Sequence, residues 1–483
     1  MAAKNKKKLD SPRAYQKVSG WDVLKPSEVK EMENQADRYI QFLNECKTER
    51  ETINFIENHA RKQGFKPIAE LKPGSPAKSG TKVYWINKNR AIGLAVIGKK
   101  PATAGLHIVA AHHDVPHLDL KPLPLIEKHG LAFFKTHYYG GIKKFQWCAI
   151  PLAIHGFASL KNGKSLSFSI GENPKDPVFT ITDIAPHLSA KIQNDRKANE
   201  VLKGEELTVL VGHKPLPGKG GKKDQEKISE KVKAMVLEFL FQNYGLTEED
   251  LAWAEVCMVP AIPAREVGFD RSMIGGFGHD DRACVMATFD AIATVKNPVK
   301  TAVGLFFDKE EIGSAGASGA QSVMVSDFLG KLVELSLGKS TYALMRQSLS
   351  ESFVLSGDAS AALEPTFEGA FDPTNAGFLG NGVWICRYTG SGGKYMSSEA
   401  DVEFIAKIRN LLVSEKIPYQ FGEMGKVDEG GGGTVAKYLA QLNMHVLDLA
   451  LPVLSLHSPF EIVSKVDYHF TISAYKSFFE KEI

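Results

Sequence analysis

Two adjacent carboxylates, Glu310 and Glu311, follow closely on residues 301–307, a short apolar run rich in β-prone side chains. Such a run reads as a buried strand. Carboxylates side by side at its end repel each other and lose solvation unless something positive lies between them. A pair of metal ions answers that need: one carboxylate ligates and its neighbour stays free as a base. Taken alone, the string Asp308-Lys309-Glu310-Glu311 reads as a solvated turn.

Four other segments carry the same residue types at the ends of elements. Residues 106–111 are apolar and end in His112-His113-Asp114. Val354-Leu355-Ser356-Gly357 ends in Asp358, and Val453-Leu454-Ser455-Leu456 ends in His457. Asp280 and Asp281 stand just before a helix-like apolar stretch, residues 283–295. Open α/β sheets build their sites outside the carboxyl ends of their strands. Nitrogen and oxygen ligands without a thiolate suit Zn²⁺, Co²⁺ or Mn²⁺. His117-Leu118-Asp119 is a second His-x-Asp string, but His112 and Asp114 come directly off the strand and are preferred. His113 is expected to pack or face solvent, His279 to lie on the surface, and Asp281 to pair with Arg282 near the helix start.

The order His-x-Asp, Asp-Asp, Glu-Glu, Asp, His resembles the two-metal aminopeptidases. The flanking strings narrow the resemblance to the aspartyl aminopeptidase and aminopeptidase I family. They are Ala111-His-His-Asp-Val-Pro116, Tyr139-Gly-Gly141, Asp308-Lys-Glu-Glu-Ile-Gly-Ser314, Gly319-Ala-Gln-Ser322, Ser356-Gly-Asp358, Gly431-Gly-Gly-Thr434, Val446-Leu-Asp-Leu449 and Leu456-His-Ser458. The likeness runs from about Glu28 onward.

The resemblance implies a mixed-sheet α/β/α zinc-peptidase domain with an inserted, β-rich dimerisation domain. It implies two divalent metal ions, Zn²⁺ first and Co²⁺ or Mn²⁺ as alternatives. One would be held by His112 and Asp358 and the other by Glu311 and His457, with Asp280 bridging both. Asp114 would accept a hydrogen bond from the far nitrogen of His112 and so fix its tautomer. Glu310 would be the general base, taking a proton from a water between the metals and passing it to the departing amine. The implied reaction is removal of the N-terminal residue of a peptide. Implied partners are peptide substrates and other copies of the chain, as dimers and a closed dodecamer.

Departures from the family pattern bear on specificity, not on the metals. Tyr139-Gly-Gly141 is not followed by the usual Asp-Arg, and Ala361 stands where aspartyl-specific members carry a His. Pro186-His187-Leu188 matches, but Lys191 occupies the position of a second His. His187 and Lys191 are therefore the candidates for contact with substrate or with a neighbouring subunit, and acidic and neutral first residues both remain open.

The elements that must position these groups are readable in outline. A chain of 483 residues is too long for one core. Residues 1–27 read as a polar, lysine-rich arm. Residues 28–119 and 265–483 carry every metal-site string, and residues 120–264 read as the insertion. The insertion opens with β-like runs, passes through a Gly/Lys/Pro loop at residues 212–224, and returns to a helical pattern at residues 227–244.

Composition excludes several other functions. With 43% hydrophobic and 24% charged residues and a net charge of +3, nothing calls for nucleic acid or an acidic surface. The loop lysines lack interleaved aromatics. No run approaches a membrane span. Five scattered cysteines without C-x-x-C spacing fit reduced thiols in a cytoplasm. Gly338-Lys-Ser-Thr341 lacks the first glycine of a phosphate loop, and Gly316-Ala-Ser-Gly-Ala320 fails as a serine-hydrolase elbow. The competing readings are a two-metal deacylase and a non-catalytic metal-binding scaffold. Loss of Glu310 or of a ligand would mark the scaffold, and none is missing.

Overall fold

A computed structural model describes residues 13–161, 163–217 and 230–483. Its centre is a nine-stranded mixed sheet. The order across it is Lys66–Pro67, Lys82–Asn87, Ala91–Val96, Ala302–Phe307, His107–His112, Phe353–Ser356, His445–Ala450, Val383–Cys386, Tyr419–Phe421. The four strands from Ala302–Phe307 to His445–Ala450 run parallel. Parallel strands buried on both faces read as continuous apolar runs, and His107–His112 and Ala302–Phe307 are buried throughout.

Alternate side chains feed two separate cores. Val109, Ala111 and Phe306 join one, under helices Pro26–Glu45, His279–Thr294 and Lys465–Glu480. Ile108, Ala110 and Phe307 join the other, under Met324–Leu337 and Tyr342–Ser350. The result is the α/β/α sandwich that the sequence implies.

A second, seven-stranded sheet is antiparallel throughout and draws all its strands from between His117 and Pro260. It has its own core, which includes Trp147, Leu152 and Met258. Helix Lys231–Tyr244 packs with it; the rest of the helical pattern at 227–229 and of the loop at 218–224 lies outside the described residues. Residues 13–24 are less loose than an arm. Tyr15 donates to the Tyr419 carbonyl (2.8 Å), Lys17 to that of Ala376 (2.8 Å), and Gly20 N–H to that of Gly380 (2.7 Å). Among the described residues no helix is long and apolar enough to cross a membrane.

One buried contact ties the two sheets' segments together and makes stability depend on pH. His155, on strand Leu152–Ser159, is 4% exposed and lies 2.7 Å from Glu51 and 3.0 Å from Glu172. Burial opposes its charge, but the two carboxylates prevail and raise the imidazole to about 8. Burial likewise opposes the Glu51 carboxylate, yet His155 and the Lys47 and Thr48 N–H groups bring it down to about 2. A raised histidine stabilises the fold fully below its unfolded value of about 6.5, and the contribution fades as pH climbs through the folded value. The shift corresponds to something on the order of 2 kcal/mol. His155→Gln should therefore lower the melting temperature clearly at about pH 6 and much less at about pH 9.5. An equal gap at both pH values in thermal melts at fixed metal would refute this.

Candidate metal centre

The parallel strands deliver their C-terminal ends to one edge of the sheet. His112 is the last residue of its strand, and Asp358 follows Phe353–Ser356 by two. Glu310 and Glu311 begin a short 3₁₀ turn after Ala302–Phe307, entered through Lys309 in the left-handed region (φ 69°). Asp280 stands at the start of helix His279–Thr294 with non-helical backbone angles. His457 lies in the turn after the short strand Pro452–Val453 and is also left-handed (φ 63°).

These side chains converge. His112 Nε2 is 3.3 Å from one oxygen of Asp280 and 3.9 Å from Asp358 Oδ1. His457 Nε2 is 3.2 Å from the other oxygen of Asp280 and 3.4 Å from Glu311 Oε1. Ligand atoms of His112, Asp280 and Glu311 lie within 4.8 Å of one another, as do those of His112, Glu310 and Asp358. Ligands of a tetrahedral zinc stand about 3.2–3.6 Å apart, given metal–ligand bonds of about 2.0–2.2 Å. Most of the observed separations already lie in that range.

The electrostatics point the same way. Asp280 Oδ1, Glu311 Oε1 and Asp358 Oδ2 are buried without a hydrogen-bond partner. Burial pushes the Glu311 and Asp358 carboxyls far up, with repulsion from Asp280 added to the first and from Glu310 to the second. Burial also raises Glu310, to about 7. The imidazole of His457 is raised to about 10: burial opposes its charge, and Asp280 and Glu311 outweigh it. Desolvated carboxylates with orphaned oxygens lack positive charge, and divalent cations between them would supply it.

The imidazoles are held by their far nitrogens. His457 Nδ1–H donates to the Gly141 carbonyl (2.8 Å), which leaves Nε2 free to ligate. Gly140, at φ +71°, is crowded: a Cβ there would come 3.2 Å from Pro116 and 3.3 Å from Glu311. His112 Nδ1 faces the Asp114 backbone carbonyl at 3.1 Å, with Asp114 Oδ1 farther off at 3.4 Å. The Asp114 carboxylate is thus shared more widely than expected. It accepts from the N–H groups of Glu310 (3.0 Å) and Glu311 (3.1 Å) and from the Tyr139 hydroxyl (2.8 Å). Burial opposes the charged form, yet His112 and Tyr139 hold Asp114 down at about 2.

Several neighbours sit differently from the sequence expectation. Asp281 does not pair with Arg282. Its oxygens accept the N–H groups of His112 (3.3 Å) and Ala359 (3.2 Å). The Arg282 guanidinium donates instead to the carbonyls of Cys46 (2.8 Å) and Lys47 (2.5 Å), buried far from solvent. His279 is buried, 2.6 Å from the Tyr39 hydroxyl, and not on the surface. His113 is packed and fully buried, and His117 pairs with Asp119 (3.0 Å) away from the centre.

The centre opens into a cavity of about 660 Å³. Its walls include Tyr388, Lys394, Glu423 and the glycine run ending at Thr434. Thr434 donates to the buried carboxylate of Asp448 (2.9 Å), which anchors that run. Ala361 also lines this cavity, whereas His187 and Lys191 of the same chain do not. They lie exposed on consecutive short helical turns of the inserted segment. Glu461 is absent from the sequence reading, though a carboxylate opening the apolar strand Glu461–Ser464 is an available signal.

Comparison with known proteins agrees with this geometry. Residues 42–479 match the family model described as aminopeptidase I zinc metalloprotease (M18). A probable M18 family aminopeptidase of Clostridium acetobutylicum is 41% identical over 461 residues, covering 95% of this chain and 97% of that one. The crystal structure of the Thermotoga maritima M18 aminopeptidase superposes with a TM-score of 0.90 at 39% identity, covering 97% and 100%. The S. cerevisiae mApe1 dodecamer, 18% identical over 93% of this chain and 97% of that one, shares the fold with a TM-score of 0.73. With its family model spanning nearly the whole chain and its metal-site strings gathered at one sheet edge, the chain belongs to the M18 family of zinc metallo-aminopeptidases.

Proposed function

We propose that the protein removes single N-terminal residues from peptides at a centre of two divalent cations, zinc first among them. The observation that carries this reading is Asp280, which offers one oxygen to the cluster of His112 and the other to the cluster of His457. His112 and Asp358 would hold one cation, Glu311 and His457 the other, with Asp280 between them. When bound, the cations supply positive charge that polarises the scissile carbonyl, acidifies the attacking water and captures the free α-amine. Glu310 lines the cavity beside them, takes the proton of the attacking water and hands it to the departing amine. Asp114 holds the backbone of Glu310 and Glu311 and so aims both carboxylates. A panel of aminoacyl chromogenic substrates, free and N-acetylated, tests the reading. Chromophore release restricted to free amines is expected, and release of acetate from the acetylated substrates would favour the deacylase instead.

The segments 28–119 and 265–483 form the catalytic unit in this reading, and residues 120–264 a dimerisation unit within a larger homo-oligomer. The dodecamer named for the yeast protein of this fold supports it. So do the exposed apolar side chains of Leu188 (68%) and Ile192 (55%), which flank His187 and Lys191 on the inserted segment. A neighbouring copy covering that patch would carry His187 or Lys191 toward its own active site or its partner's. A cation arriving there favours acidic first residues. Lys191→Ala should then depress cleavage of Asp and Glu substrates more than of Leu substrates. Equal loss on both would leave only a packing role, and light scattering from a monomer would remove the cross-subunit contact altogether.

A further inference from the structure

Glu461 is 1% exposed and touches neither cavity nor solvent. Its two oxygens are divided between two distant segments. Oε2 accepts the backbone N–H of Asp280 at 3.1 Å, and Oε1 accepts that of His457 at 2.6 Å. Both of those backbones are irregular. Asp280 is non-helical at the head of its helix, and His457 is left-handed, so neither N–H has a partner within regular structure. Buried N–H groups need an acceptor, and here one carboxylate serves both.

Glu461 is itself fixed in place. It opens the strand Glu461–Ser464, which pairs antiparallel with Met273–Gly276, with Glu461 opposite Gly276. Gly276 stands four residues before Asp280. On the other side, Leu454 and Ile462 exchange backbone hydrogen bonds (2.9 and 3.0 Å), closing the turn that carries His457. The carboxylate therefore sits at the only junction where the Asp280 segment and the His457 turn share one anchored partner among the contacts described. Between the side chains of those same two residues lies the 3.2 Å gap from Asp280 Oδ2 to His457 Nε2.

We infer that Glu461 is a positioning residue that sets the spacing of Asp280 and His457 and so tunes the affinity of the cation between them. This rests on the two-cation reading above. A spacer of this kind acts most on the position between Asp280 and His457, where both ends of the gap move, and on the other only through Asp280. The cation shared with His112 and Asp358 keeps its own support, because Asp281 holds the N–H groups of His112 and Ala359.

Glu461→Gln tests it. The amide keeps one acceptor oxygen but turns an NH₂ toward a backbone N–H, so one of the two links is broken at constant size. Stepwise Zn²⁺ affinities of the apo-enzyme, measured by chelator competition, should show about a 10- to 100-fold loss at one position and a distinctly smaller loss at the other. The visible spectrum of the Co²⁺ form should change at that same position, and excess metal should restore most of kcat. Two unchanged affinities would overturn the inference, as would equal losses at both positions accompanied by a lower melting temperature of the apo-enzyme. Should the Gln variant not fold, Glu461→Asp keeps the charge, shortens the reach and carries the same expectation. Wild-type enzyme binding a single cation would overturn the two-cation reading itself, and this inference with it.

Discussion

Glu310→Gln is expected to cut kcat by about 10²–10⁴-fold while leaving bound metal unchanged. The substitution keeps the side chain's size and its place on the cavity wall. It removes only the group that accepts and returns a proton. Backbone placement is untouched, because the N–H of residue 310 still donates to Asp114. The clustering of His112, Asp280 and Glu311 does not involve Glu310, and in the second cluster, with His112 and Asp358, the amide oxygen of Gln still occupies the same place. Metal content by elemental analysis alongside kcat on one aminoacyl substrate separates the two effects. Wild-type turnover in this variant would end the assignment of Glu310 as the base. Loss of metal together with turnover would make Glu310 a ligand instead.

Asp280→Ala should have a wider effect, because in the proposed centre both cations would lean on the one side chain. Its two oxygens lie 3.3 and 3.2 Å from the imidazoles of His112 and His457. Removing them takes a ligand from each position and leaves the two histidines without the anion between them. Both metals should be lost at working concentrations, and activity with them. Asp358→Ala and Glu311→Ala each remove a ligand from one position only, so one metal should fall more than the other. Metal counts per chain decide between these patterns. Two metals retained in Asp280→Ala would place the bridge elsewhere, with Asp281 the first residue to examine.

Groups that come straight off apolar strands are the legible part of the site. His112, Glu311, Asp358 and His457 follow runs whose burial is written in their composition, and a polar residue after such a run lies at a sheet edge. The buried strands of the central sheet are legible for the same reason, since strands such as His107–His112 are apolar on both faces, while the α/β/α layering is what the family resemblance implies. What the chain conceals is which distant segments meet. Nothing near Asp281 signals that its oxygens serve the N–H groups of His112 and Ala359. Arg282 looks like its partner because the two are adjacent, yet the guanidinium reaches the carbonyls that end the first long helix. His279 is polar at a helix start and still fully buried, because Tyr39 from another helix meets it. The docking of residues 13–24 depends likewise on acceptors more than 300 residues away in sequence, so a polar, lysine-rich stretch there reads as loose.

The proposed ligand set is drawn from five segments that begin at His112 and end at His457, and the strand His445–Ala450 enters the sheet between two strands that precede it in sequence. During synthesis, a growing chain therefore holds no complete centre until its late segments have been made and inserted. On the proposed assignment, a half-made chain would have neither the second imidazole nor the second partner of Asp280, and Glu310 would have nothing to act beside. Peptide cleavage would then be withheld until the sheet is finished, so that activity would report a completed fold.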